Sequence, residues 1–143
     1  MEKKNKKFAE KFKFLEHTAD IKFQAFGNSL EEVFKNCALA MFNAMYKGRV
    51  QNKMNFKIKA QGEDNESLLY NFLEELLILF DTKYFFLSEI KNLEINKNKL
   101  VAEVIGNLAE NYDISIDVKA ITYNEMFVKE KEGKWTAQVV LDV

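Results

Sequence analysis

From Asp20 to Phe26 the chain alternates, with Ile21, Phe23 and Ala25 on one face and Lys22 and Gln24 on the other. That period of two predicts a half-buried strand. Gly27-Asn28 ends it, and Ser29 followed three residues later by Glu32 forms a capping box that starts a helix. Leu30, Val33, Phe34, Cys37, Met41 and Met45 then recur at three- and four-residue spacing, carrying an amphipathic helix to about Tyr46. Alternation returns at Met54, Phe56, Ile58 and Ala60, set against Lys53, Asn55, Lys57 and Lys59. This is a second strand with a polar outer face. Residues 62–65 turn the chain into a helix from about Glu66 to Phe80. Leu68, Leu69, Phe72, Leu73, Leu76, Leu77 and Phe80 give that helix a wide apolar face that must be covered.

The remaining residues read as strands over Phe85–Asn96, Lys99–Gly106, Ile114–Lys129 and Lys134–Val143. Asn96-Lys-Asn98 and Glu132-Gly133 supply turn chemistry for two hairpins. The expected fold is a single α+β domain, a largely antiparallel β-sheet layer packed with two main helices. The domain is expected over residues 12–143, after a flexible Lys-rich leader over residues 1–11.

Composition narrows the chemistry. The 143 residues are 48% apolar and 13% aromatic, too hydrophobic for a disordered chain. They include one His, one Cys, one Trp and no Pro, and Arg49 is the only Arg among 21 basic side chains. Structural zinc sites usually take four Cys or His ligands, and His17 and Cys37 provide two. A lone Cys excludes an intramolecular disulfide. Cys37 falls on the apolar helix face and reads as a small buried hydrophobe. The net charge of −1 argues against a dedicated nucleic-acid binder. The first 13 residues carry six Lys, yet no apolar stretch of signal-peptide length follows, and no run approaches the ~20 residues of a membrane span. A soluble, cytoplasmic protein is expected.

Two places are not explained by packing. Glu16-His17-Thr18-Ala19-Asp20 sets two carboxylates, an imidazole and a hydroxyl between the apolar runs 12–15 and 21–26. It reads as a small polar pocket or as a turn in which Thr18 or Asp20 caps backbone amides. At the other end Asp142 sits among Val139, Val140, Leu141 and Val143, beside the α-carboxylate. Two carboxylates so close either face water or hold a cation. If the last strand lies beside the first, Asp20, Asp142 and the Val143 carboxylate converge. Such an all-oxygen set suits a hard divalent ion, calcium or magnesium, and not zinc.

The blocks Phe14-Leu-Glu-His-Thr-Ala-Asp20 and Gly27-Asn-Ser-Leu-Glu-Glu-Val-Phe34 resemble the start of the archease family. Leu68-Leu-Tyr-Asn-Phe-Leu-Glu-Glu-Leu-Leu77 with Phe80-Asp-Thr82, Val118-Lys-Ala-Ile-Thr-Tyr123 and the ending Val140-Leu-Asp-Val143 resemble it too. The blocks appear in order over about residues 12–143. One departure is visible: Asn124 stands where a His often follows the Thr-Tyr pair.

The resemblance implies an accessory protein and not an enzyme. Its expected partner is the RtcB-type RNA ligase, which joins tRNA halves using GTP and metal ions; tRNA would be met indirectly, through the ligase. The expected role is to promote ligase guanylylation and repeated turnover in tRNA splicing or RNA repair. The resemblance also implies a divalent cation, calcium ahead of magnesium or manganese, on Asp20, Asp142 and Val143. It assigns Lys119 to ligase activation; otherwise Lys119 is an outward strand Lys on a solvated face. His17 is expected to orient its loop by hydrogen bonding in preference to ligating metal, with Glu16 in support. The competing readings are a general chaperone or RNA-binding module, using the Lys-rich leader and exposed aromatics such as Tyr84 or Trp135, and a metal-dependent phosphohydrolase.

Overall fold

A computed structural model of the chain describes residues 10–143; the expectation for residues 1–9 lies outside the described part. Strand β1 (Phe12–Leu15) leads through the polar segment 16–20 into β2 (Ile21–Gly27), helix α1 (Leu30–Met45) and β3 (Met54–Gln61). Helix α2 (Asn65–Lys83), β4 (Phe85–Asn96) and β5 (Lys99–Leu108) follow. A short 3-10 turn (Ala109–Asn111) precedes β6 (Ala120–Lys131) and β7 (Lys134–Asp142). No helix among the described residues is long and apolar enough to cross a membrane.

The α+β class is as expected, but the strands form two sheets where one layer was anticipated. One has the order β1-β2-β7-β6 and the other β3-β5-β4, and every pairing is antiparallel. Both helices touch both sheets: α1 lies against β2, β7 and β4, and α2 against β3, β4 and β6. A helix between two sheets must be apolar nearly all round. Ala38, Ala40 and Ala44 are accordingly buried together with Val33, Phe34, Cys37, Met41 and Met45. The Phe34 and Phe72 rings stack at 6.0 Å where the helices meet.

The caps form with one change. Ser29 Oγ accepts from the Glu32 N–H at 3.0 Å, but the Glu32 carboxylate reaches the N–H of Asn28, one residue before the cap. Helix α2 starts one residue earlier than expected, on a capping box between Asp64 and Ser67, and runs three residues past Phe80. The apolar stripe ends at Phe80 while the backbone ladder does not. Thr82 Oγ1 donates to the Ile78 carbonyl, and the helix stops at Tyr84, which takes the left-handed conformation at φ 56°.

The hairpin turns are the two-residue kind with both residues at positive φ, Lys97-Asn98 (53° and 64°) and Glu132-Gly133 (54° and 79°). The strand expected to begin at Ile114 begins at Ala120. Residues 114–119 are drawn aside: the Ser115 N–H bonds the Met45 carbonyl at the end of α1, at 3.0 Å, so it is not available to a sheet ladder.

Candidate carboxylate site at the strand ends

The last strand does lie beside the strand that follows the polar segment. In the β2–β7 pair, Ile21 faces Leu141, Phe23 faces Val139 and Ala25 faces Ala137. The ladder ends at Ile21 and Leu141, so Asp20 and Asp142 are the next residues outward on the two neighbouring strands. On the other side Asp142 pairs with Ala120, and the Lys119 N–H donates to the Asp142 carbonyl at 2.8 Å. Asp20, Asp142, Val143 and Lys119 therefore gather at one end of one sheet, although they come from opposite ends of the described sequence. Asp142 and Lys119 are exposed, and Asp20 and Val143 are half-buried. Alternation along β2 and β7 puts Ile21, Phe23, Leu141 and Val139 toward the core, which leaves Asp20 and Asp142 on the opposite face.

That face carries a second group which the sequence did not announce. Strand β6 bulges: Thr122 faces Val140 and Phe127 faces Gln138, so five residues of advance on one strand match two on its neighbour. Glu125, at φ 58°, sits in the bulge. One oxygen of its carboxylate accepts from Lys22 Nζ at 2.8 Å and the other from His17 Nε2 at 3.1 Å. Its main-chain carbonyl accepts from Gln138 Nε2 at 2.8 Å. The Lys22 hydrogen bond, helped by the one from His17, holds the Glu125 carboxyl below its ordinary range.

His17 thus hydrogen-bonds a partner 108 residues away in sequence. Its Nε2–H is committed to Glu125, which leaves Nδ1 as the free ring nitrogen, a tautomer assigned from this network. Nδ1 is buried without a hydrogen-bond partner and lies 3.8 Å from Asp20 Oδ2. Glu16, also expected in support, is exposed and makes no hydrogen bond or ion pair among the described residues.

Among the described residues, no three His, Cys, Asp or Glu side chains converge as a metal-binding group. The set read from sequence contains only two such side chains, Asp20 and Asp142, and depends on the Val143 carboxylate for its third arm. Other expectations resolve simply. Cys37 is fully buried, and burial pushes its thiol far up, so it stays protonated. Tyr84 is exposed, whereas Trp135 is half-buried against the core, a correction to its reading as an exposed aromatic. Asn124, where a His was noted as frequent, lies exposed in the β6 bulge.

The lowered Glu125 carboxyl gives a direct test of the network. A carboxyl depressed by folding contributes stability that is present above its unfolded value and lost as pH falls through the depressed one. In Lys22→Met the Glu125 titration, followed by carboxyl-carbon NMR, should return upward toward the ordinary glutamate range. An unmoved titration would show that Lys22 does not hold it.

The profile of the Archease protein family matches residues 12–143. A protein archease from Methanosarcina acetivorans is 38% identical over 94% of this chain and 97% of its own length. Another from Pyrococcus abyssi is 39% identical over 94% and 99%. The solution structure of protein 1598 of Methanobacterium thermoautotrophicum superposes with a TM-score of 0.80 at 35% identity, covering 93% of this chain and 99% of that one. A Thermotoga maritima crystal structure, described as an archease and possible chaperone, shares the fold at a TM-score of 0.63 and 19% identity, covering 92% and 96%. The likeness spans both sheets, both helices and the strand ends that carry Asp20 and Asp142: this chain belongs to the archease family.

Proposed function

We propose that the protein activates an RtcB-type RNA ligase, promoting its guanylylation and repeated turnover through the carboxylates of Asp20, Asp142 and Val143. The observation that carries this reading is the β2–β7 register, which brings Asp20 and Asp142 to neighbouring strand ends on an open face. The donor set fits a hard divalent cation, calcium ahead of magnesium or manganese, because every arm is oxygen. The unpartnered His17 Nδ1 turned toward Asp20 Oδ2 supports positive charge at this place. When bound, such a cation supplies neutralisation of phosphate charge during nucleotide transfer.

The chain's own residues have separate tasks. Glu125 and Lys22 fix His17, and His17 lines one wall of the place where Asp20 sits. The Lys119 backbone is tied to Asp142, and its exposed ammonium, at the same end of the sheet, is able to meet a phosphate or a ligase carboxylate as a compact point charge.

The test is ligase guanylylation with GTP and multiple-turnover RNA joining, each with and without this protein. Faster guanylylation and repeated turnover are expected; ligase rates indifferent to its presence would refute the reading. Lys119→Ala should lower the stimulated guanylylation rate at unchanged circular dichroism. A rate equal to wild type would return Lys119 to a solvated lysine.

A further inference from the structure

The net charge of −1 conceals a strong segregation. Residues 1–13 and 47–53 hold nine Lys and Arg side chains against two Glu; the other 123 residues hold 12 basic and 20 acidic ones. The fold brings the described parts of the two basic segments together. Lys47 Nζ lies 5.1 Å from the centroid of the Phe14 ring, and Lys11 and Phe12 line the same groove as Arg49 and Lys53. That groove, about 690 Å³, runs between the β1 edge of one sheet, the end of α1 and β4 of the other sheet. It is remote in the fold from the carboxylates: Lys11 and Phe12 lie at the Gly27 end of β2, and Asp20 lies at the other.

The segment that presents Arg49 has no regular structure, yet it is fixed at four points. Ser88 Oγ donates to the Val50 carbonyl at 3.0 Å, and the Gln51 N–H donates to Tyr112 Oη at 2.9 Å. Asn52 Nδ2 donates to Glu89 at 2.9 Å, and the Lys53 N–H to the Gly106 carbonyl at 2.8 Å. Among the described residues, none of Lys11, Arg49 and Lys53 makes an ion pair. All three are exposed. The one carboxylate in the groove, Glu89, is held by Asn52. The half-buried rings of Phe12 and Tyr46 complete the lining.

We propose that this groove binds the phosphate backbone of single-stranded RNA directly, with Lys11, Arg49 and Lys53 as the phosphate contacts. An Arg at the start of a pinned segment offers a planar fork of N–H donors to phosphate oxygens, and Lys11 and Lys53 extend the track. Aromatic surface between cations is the lining that single-stranded nucleic acid uses and that an acidic peptide does not need. Over the rest of the chain acidic groups outnumber basic ones, and Glu31 and Glu32 beyond Lys11 bound the track on that side.

The test is fluorescence anisotropy of a labelled oligouridylate of about 12 nucleotides, titrated with the full chain across a chloride series. Three phosphate contacts on a single strand give a log K against log salt slope of about −2 or steeper, at about −0.7 per contact. Arg49→Gln/Lys53→Gln should flatten that slope by about 1.4 and weaken binding at low salt. Lys59→Gln/Lys99→Gln, at the end of the β3–β5 pair away from the groove, should leave slope and affinity as in wild type. Circular dichroism establishes that each variant is folded. The proposal is overturned by no binding at the lowest salt or by equal slopes in wild type and the groove variant. Equal losses in both double variants would overturn it too, as would polyglutamate displacing the RNA as well as unlabelled oligouridylate does at equal charge.

Discussion

Asp142→Ala is expected to abolish stimulation of ligase guanylylation while leaving the protein folded. The side chain is exposed at the end of β7, so its truncation removes no packing and belongs with surface changes that shift stability by about 0.5 kcal/mol or less. Its loss takes one of only two side-chain carboxylates from the proposed set, and one remaining carboxylate with a main-chain terminus is a poor site for a hard dication. Asp20→Ala should act alike for the same reason. Both are checked by ligase guanylylation at saturating protein, alongside thermal melts. Loss of stimulation at an unchanged midpoint supports cation presentation by this pair. Wild-type stimulation by both variants would end that account, even if the ligase partnership stands.

The largest effect on stability should come from adding one methyl group, in Gly106→Ala. Gly106 lies in β5 between Met54 of β3 and Leu87 of β4, in the middle of the smaller sheet. A Cβ there would collide with the Phe86 carbonyl oxygen and sit 2.9 Å from Cε1 of the buried Phe85 ring. The first of these neighbours is backbone, so it cannot rotate away. The crowding follows from the bulge between Leu87 and Glu89, where β4 carries Ser88 as an extra residue and closes over β5. Overpacking of this kind costs about 1–3 kcal/mol, occasionally more. Urea unfolding should show a lowered midpoint at unchanged slope. A midpoint equal to that of wild type would mean that β4 shifts freely.

Much of this fold was legible because period and punctuation agreed. The strand 21–27, both helix starts and both two-residue turns followed from local signals, and each of those signals is satisfied inside the segment itself. The second sheet was not legible, because a wide apolar face on a helix says that it must be covered, not by how many layers. Ala38 and Phe42 were the available clue: at about 100° per residue they fall at the rim of the Leu30–Met45 stripe and beyond it, on a side of α1 that a single-sheet fold would leave to solvent. The late start of β6 was missed because Ile114 and Ile116 carry strand-like alternation while the Ser115 N–H is spent on Met45. At the site, Asp20 and Asp142 stood out as acids beside apolar runs. Lys22 and Glu125 did not, since a polar residue on the outer face of a strand or in a bulge looks the same whether it faces water or another side chain.

The order β1-β2-β7-β6 has a consequence for how this chain comes to be folded. Strand β7 is interior to its sheet, and one of its two partners begins at Ile21, so residues 21 and 141 must find each other before that sheet is complete. Closing so large a loop is entropically uphill and slow compared with zipping the 85–108 hairpin or winding the helices. During synthesis β2 therefore waits with an open edge while the chain between is made. Phe23 and Ala25 have no β7 to shelter them in that interval. The polar Lys22 and Gln24 on the opposite face, together with the short β1 hairpin that covers the other edge, are what keep that waiting strand from pairing with a stranger.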